Sequence, residues 1–340
     1  MLRKLAYAVC IIGIAIDGGI VAQVAPGNDS IRIETRLVSV PAIVSDRQGR
    51  YIPNLTQSDF AIYQDGVEQK IEFFAPSEEP INVALLIDTS QSTRSVLDDI
   101  KDSARDFIKL LSPRDRAMIV TFDYDTHILS SLTSDQNELR RAIKKAEIPE
   151  RGLVGTTMRD AVYKTVAGEF HDLKGRKAII LLTDGKDVDS RVGVAELLHR
   201  VEENDTLIYT LMFKTQERVR RPITDRTRRV GIFTGRNPPM GRRDDPRDDR
   251  LRERLERLNK AAELFLQDLS ETTAGRFASS KDGKLKKTFA AIVEELRFQY
   301  RLGFYPPDEG VRASAHQLKV KVSRSDVIVR SRTAYRVESR

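Results

Sequence analysis

Asp88-Thr89-Ser90-Gln91-Ser92 directly follows the apolar run Val83-Ala84-Leu85-Leu86-Ile87. One carboxylate and two hydroxyls, each two residues apart, are thereby set at the end of a strand-like segment. Further on, Gly155-Thr156-Thr157 opens a helix-like stretch, and Thr183-Asp184-Gly185 closes a second apolar run, Ala178 to Leu182. Asp88, Ser90, Ser92, Thr156 and Asp184 together offer only oxygen donors. Hard oxygens suit Mg²⁺, Mn²⁺ or Ca²⁺ rather than Zn²⁺. Two carboxylates leave a divalent ion nearly neutral, and neutral hydroxyls leave it electrophilic enough to draw a further carboxylate. The set therefore reads as an open trap for an Asp or Glu side chain of a protein partner. Singly, each of these residues also reads as a helix cap; it is their joint occurrence in this order that favours a metal.

The elements that must position them follow from periodicity. Val83 to Ile87, Ala117 to Phe122, Ala178 to Leu182 and Leu207 to Leu211 are continuous apolar runs, as in strands buried on both faces. Between them lie helical spacings: Val96, Ile100, Ala104, Phe107, Ile108 and Leu111; Leu139, Ile143 and Ala146; Met158, Ala161, Val162 and Val166. Strands alternating with helices predict an α/β domain, a doubly wound and mostly parallel sheet, over residues 81–297. In such a sheet ligands bind beyond the carboxyl ends of the strands, which is where the five residues fall.

Residues 31–76 and 298–338 read as β instead. Asp65-Gly66 between Phe60-Ala61-Ile62-Tyr63 and Val67 to Phe73 signals a two-residue hairpin. Neither segment alone offers enough strands to be stable, so the two are expected to pair into one small β-sandwich with the α/β domain set between them. Residues 218–250 break the pattern. Fourteen arginines and four prolines fall between Arg218 and Arg257, with interleaved aspartates, and predict a largely disordered surface insertion up to Arg250. Those aspartates, and the presence of only one aromatic, Phe233, for base stacking, speak against a nucleic-acid partner.

Residues 1–22 read as an export signal: Arg3 and Lys4, a dozen apolar residues from Leu5 to Ile16, and a cut after Ala22, with an uncleaved anchor as the alternative. The run is short for a membrane span, and no other segment is long and apolar enough, so a periplasmic, cell-surface or secreted protein is expected. The single cysteine, Cys10, lies inside this signal, which leaves no disulfide in the processed chain. The net charge of +7 permits acidic partners but is silent on fold.

The Asp-x-Ser-x-Ser motif, the Gly-Thr before a helix and the Thr-Asp-Gly after an apolar strand resemble a von Willebrand factor type A domain with its metal-ion-dependent adhesion site (MIDAS). The likeness runs from Ile81 to about Leu296. It implies direct metal coordination by the hydroxyls of Ser90, Ser92 and Thr156, water-mediated roles for Asp88 and Asp184, and a ligand carboxylate completing the shell. The flanking β segments resemble exported bacterial proteins in which such a domain is set into a β module, whereas the arginine-rich insertion is not a usual family element.

A catalyst is harder to read. The four histidines, His127, His171, His199 and His316, stand far apart without ligand spacing, and no nucleophile–base order or phosphate-binding glycine loop accompanies them. Asp123 and Asp125, after a strand end, read as solvated loop acids, or as the only general bases for a metal-assisted hydrolase. A non-enzymatic, adhesion-type binding module is the leading expectation. The alternatives are a structural subunit of an envelope assembly, its metal merely stabilising loops, and, behind that, the hydrolase.

Overall fold

The computed structural model describes residues 37–76, 79–149, 155–215, 246–279, 285–307 and 315–336. Residues 1–22, read above as an export signal, and residues 218–245 of the arginine-rich stretch lie outside them. Strand β1 (Val38–Asp46) is buried along most of its length. β2 (Phe60–Gln64) and β3 (Val67–Gln69) form the expected hairpin. Asp65 and Gly66 have φ of 48° and 86°, the left-handed pair that a tight primed turn requires. The run expected to continue as one strand to Phe73 instead breaks. Ile71 turns into the core, Gln57 Nε2 donates to its carbonyl at 2.8 Å, and β4 (Phe73–Ala75) restarts in a different sheet.

The α/β domain begins with β5 (Ile81–Asp88), every residue of which is buried. Helix α1 (Leu97–Leu110) follows, then β6 (Arg116–Phe122), β7 (Thr126–Thr133), α2 (Gln136–Lys145), α3 (Met158–Lys164), β8 (Arg176–Thr183), α4 (Val194–Glu202), β9 (Leu207–Met212), α5 (Pro246–Thr272), β10 (Phe277–Ser279) and α6 (Leu285–Arg297). The sheet order is β10-β9-β8-β5-β6-β7, parallel except for the edge pair β6–β7. The pleat of β5 explains why both faces are apolar. Val83, Leu85 and Ile87 pack with α1, α2 and α6, while Ala84 and Leu86 pack with α3, α4 and α5. The chain leaves β5 toward β6 and later returns to β8 on its other side, so strand order reverses beside β5 and its carboxyl end becomes the ligand edge.

Two elements depart from expectation. β7 has no apolar alternation; Ser130 is its one buried residue, as suits an edge strand half in solvent. α5 starts at Pro246, inside the stretch expected to be disordered to Arg250. Proline is well suited to a first helical position, and spaced pairs such as Glu253–Arg257 (3.9 Å) suit an exposed helical face.

The last segment supplies β11 (Gln299–Phe304), β12 (Ala315–Val322), β13 (Val327–Ser331) and β14 (Ala334–Arg336). It interleaves with the first. The sheets are β13-β1-β11-β4 and β14-β12-β2-β3, antiparallel throughout, around a core that includes Val40, Val44, Ile62, Tyr300, Leu302, Phe304 and Tyr335. The small β module is thus built jointly from both ends. Glu295 of α6, 1% exposed, joins it to the α/β domain. Its carboxylate accepts from Tyr209 (2.7 Å) and Tyr51 (3.1 Å), and pairs with Arg276 (2.5 Å) and with Arg330 of β13. Among the described residues no helix is long and apolar enough to cross a membrane.

Candidate metal centre

Asp88 ends β5 with its side chain fully buried. Its Oδ1 accepts the Ser90 N–H at 2.9 Å and its Oδ2 the Thr183 hydroxyl at 2.7 Å, which fixes the carboxylate between β5 and β8. Thr93 Oγ1 donates to the Asp88 and Ser90 carbonyls (3.0 and 2.9 Å), closing the loop into a short 3₁₀ turn, Gln91–Ser95. Ser90 stands at the cap position of that turn, yet its side chain makes no capping bond; its hydroxyl lies 3.1 Å from that of Ser92. The Ser90 hydroxyl is thus not spent on a cap, and it also bonds toward the Asp88 carboxylate.

Thr156 is held by its neighbours. The Val188 and Asp189 N–H groups donate to its carbonyl (3.1 and 3.4 Å), while the Thr157 N–H and hydroxyl donate to the Asp123 carbonyl (2.7 and 3.1 Å). Thr157, not Thr156, is the cap residue of α3, and it makes no side-chain capping bond either. The 155–157 turn is therefore tied both to the loop after β6 and to the loop after β8. Gly155 is required here because a Cβ would lie 2.7 Å from Asp189 Oδ2 and 3.1 Å from Tyr124 Cα.

Asp184 follows β8 and is 3% exposed. Its Oδ1 accepts the Lys186 N–H at 3.2 Å; its Oδ2 accepts the Thr215 hydroxyl at 3.0 Å and lies 3.2 Å from Lys186 Nζ. The turn is made by Gly185, whose φ is +84° and whose N–H donates to Thr183 Oγ1 at 2.9 Å. Asp187, in the same loop, does structural work. It accepts the Arg159 N–H (2.8 Å), satisfying the start of α3, and pairs with the Arg159 guanidinium.

Burial, and next the negative charge of Asp184, push the Asp88 carboxyl up to about 7, against the hydrogen bonds from Ser90 and Thr183 that favour its charged form. The two carboxylates are close enough to repel, and a cation shared between them would reverse that repulsion. Because the folded-state pKa is raised, the stability Asp88 contributes is fully present below about pH 4 and is lost as pH rises through about 7. In chelator-treated protein the thermal midpoint is expected to fall across that window. A saturating divalent cation should largely abolish the fall. A cation-insensitive profile would argue against a shared ion.

The structure thus gathers Asp88, Ser90, Ser92, Thr156 and Asp184 on the loops at one sheet edge. Among the described residues no three His, Cys, Asp or Glu side chains converge, so an ion here would need the hydroxyls. That donor set fits a hard divalent cation with open positions. Asp123 departs from the expected solvated acid. It is 5% exposed, and its carboxylate accepts from Thr89 Oγ1 (3.3 Å) and the Asp125 N–H (3.2 Å), with His127 Nε2 at 3.3 Å. It braces the β5 and β6 loops, whereas Asp125 is exposed and pairs with Lys164 at 3.1 Å. Thr89, Thr183 and Thr215 also support the site. Thr89 and Thr183 border motif residues in the sequence, but Thr215 carries no local signal, since only the fold brings it to Asp184.

Residues 83–186 match the family model of the von Willebrand factor type A domain, a span that contains all five site residues. No curated protein matches the chain. Among solved structures, the chain is similar to the conserved hypothetical protein BatB from Bacteroides thetaiotaomicron, at 17% identity and a TM-score of 0.45, covering 64% of this chain and 97% of that one. It is also similar to a von Willebrand factor type A protein from Catenulispora acidiphila, at 12% identity and a TM-score of 0.45, covering 82% and 73%. A third is proximal thread matrix protein 1 from the mussel byssus, solved with zinc occupying its MIDAS motif, at 16% identity and a TM-score of 0.44, covering 67% and 48%.

Proposed function

Because the chain contains a von Willebrand factor type A domain, we propose that it is a metal-dependent protein-binding module acting outside the cytoplasm. Ser90, Ser92 and Thr156 would hold the cation through their hydroxyls, with Asp88 and Asp184 balancing its charge. When bound, the cation supplies an electrophilic position for one Asp or Glu side chain of a partner. The observation that carries this reading is that the Ser90 hydroxyl is not spent on a cap and lies beside that of Ser92, while two buried carboxylates, Asp88 and Asp184, stand at the same sheet edge. Binding rather than turnover is proposed because Asp123 and Asp187, acids on the loops that frame the site, are both engaged in bracing those loops. Export rests on the signal-like residues 1–22.

The test is calorimetric titration of Mg²⁺, Mn²⁺, Ca²⁺ and Zn²⁺ into chelator-treated protein, beside a Ser90→Ala, Ser92→Ala double variant. One saturable site is expected, weakened about tenfold or more in the variant, since even outer ligands change metal affinity by that much. Equal affinity in the two proteins would remove the serines from the site. Binding of an acidic peptide that survives chelation would overturn the metal-dependent reading.

A further inference from the structure

We propose that Lys186 is an internal counter-charge that makes cation binding at this site depend on the partner's carboxylate. The inference rests on the metal-dependent reading above. Lys186 Nζ lies 3.2 Å from Asp184 Oδ2 and 3.5 Å from Thr215 Oγ1, and the Lys186 side chain is only 25% exposed. Its position is built by the fold. Gly185 folds the chain back through a positive φ, the Lys186 N–H is bonded to Asp184 Oδ1, and a Cβ on Gly185 would press on Ala262 and Leu266 of α5 at 3.1 and 3.3 Å. The ammonium is therefore held against the carboxylate that is to balance a cation.

The charges then decide the outcome. Asp88 and Asp184 supply two negative charges, and Lys186 cancels one of them. A divalent cation added to this set leaves one positive charge in excess, in a site where Asp88, Asp184 and Ser90 are almost wholly buried. A partner carboxylate restores neutrality. Without Lys186 the cation alone reaches neutrality, and the same carboxylate leaves an excess negative charge. Lys186 thus opposes the cation by itself and favours cation and carboxylate together. By linkage each ligand strengthens the other, so the site would hold free cation weakly and engage it fully when an acidic partner arrives.

The experiment titrates Mg²⁺ into the chelator-treated full chain, with and without excess acetate as the carboxylate probe, for wild type, Lys186→Met and Lys186→Arg. Wild type is expected to bind Mg²⁺ more tightly with acetate present. Lys186→Met is expected to bind Mg²⁺ alone about tenfold more tightly, as removal of one nearby positive charge implies, and to gain less from acetate. Lys186→Arg keeps the charge and should follow wild type. Lys186→Gln, which keeps a donor for Asp184, takes the place of Lys186→Met should that variant not fold. Unchanged or weaker Mg²⁺ affinity in the neutral variants, or an undiminished acetate effect, would overturn the role of Lys186 and leave the metal site standing. Tightening by Lys186→Arg as large as by Lys186→Met would show that charge is not the cause. Absence of Mg²⁺ binding by wild type both with and without acetate would overturn both this inference and the proposed function.

Discussion

Asp88→Asn is expected to lose divalent-cation binding, by about a hundredfold or more, while the chelator-treated protein becomes no less stable at pH 8. The first effect follows from halving the negative charge available to a cation at a buried position. The second follows from the same burial. Above about pH 7 the folded protein must hold Asp88 charged, out of water and beside Asp184, and the amide removes that cost. Asparagine can still accept from the Ser90 N–H. At Thr183 Oγ1 the donor and acceptor must exchange roles, which leaves the threonine hydroxyl seeking a new acceptor and offsets part of the gain. Isothermal titration and urea unfolding on one preparation read both effects. A large loss of stability with the metal chelated would show that the carboxylate serves the fold rather than a cation.

Glu295→Ala is expected to cost the most stability of any substitution considered, about 3–5 kcal/mol. Its buried carboxylate receives two tyrosine hydroxyls and two guanidinium groups drawn from β9, the residue before β10, β13 and the loop after β1. Removing it strands the Tyr209 hydroxyl in the core and leaves two cations without their counter-charge. The value should fall toward the lower end, because the Arg276 side chain is 50% exposed and can return to water. A midpoint shift on the order of 10 °C follows. Since these groups come from both the α/β domain and the β module, unfolding of the alanine variant should also proceed in two transitions, against one for wild type. Glu295→Gln, which retains an acceptor for one of the two tyrosines, should lie between. A loss below about 1 kcal/mol for the alanine variant would show that the network is incidental.

The central domain is legible in the sequence because its strands are buried on both faces, and such strands appear as unbroken apolar runs between helical spacings. The five candidate donors are legible for a related reason: each directly follows a strand or precedes a helix, so local order places them on one edge. β7 is not legible, since a half-exposed edge strand such as Thr126–Thr133 needs no apolar alternation. The break at Ile71 escapes notice because its alternation continues unbroken while the chain changes sheets. The start of α5 is obscured by charge: the run that reads as disorder up to Arg250 becomes helix from Pro246, where proline and the acids after it suit a helix start. Thr215, Lys186 and Asp123 show the remaining limit. Their types are common in loops, and only the folded turn at Gly185, for Lys186, and tertiary contact, for Thr215 and Asp123, give them work at the site.

The interleaving of the two ends in the β module has a consequence for the order of events during synthesis. β1 lies between β11 and β13, pairing Ala42 with both Tyr300 and Ser331. On the ribosome β1 is made long before either neighbour and must wait while the whole α/β domain is translated. That domain contains its own sheet and helices and can condense in the interval, whereas the module cannot close until the last strands emerge. Its pairings span some of the longest separations in the chain, which slows their formation. The waiting strand, with an apolar face and unpaired edges, is the segment most exposed to wrong partners until then. Closure of the β module is therefore the late step that commits the molecule, and it places the binding domain in its frame only after that domain has already formed.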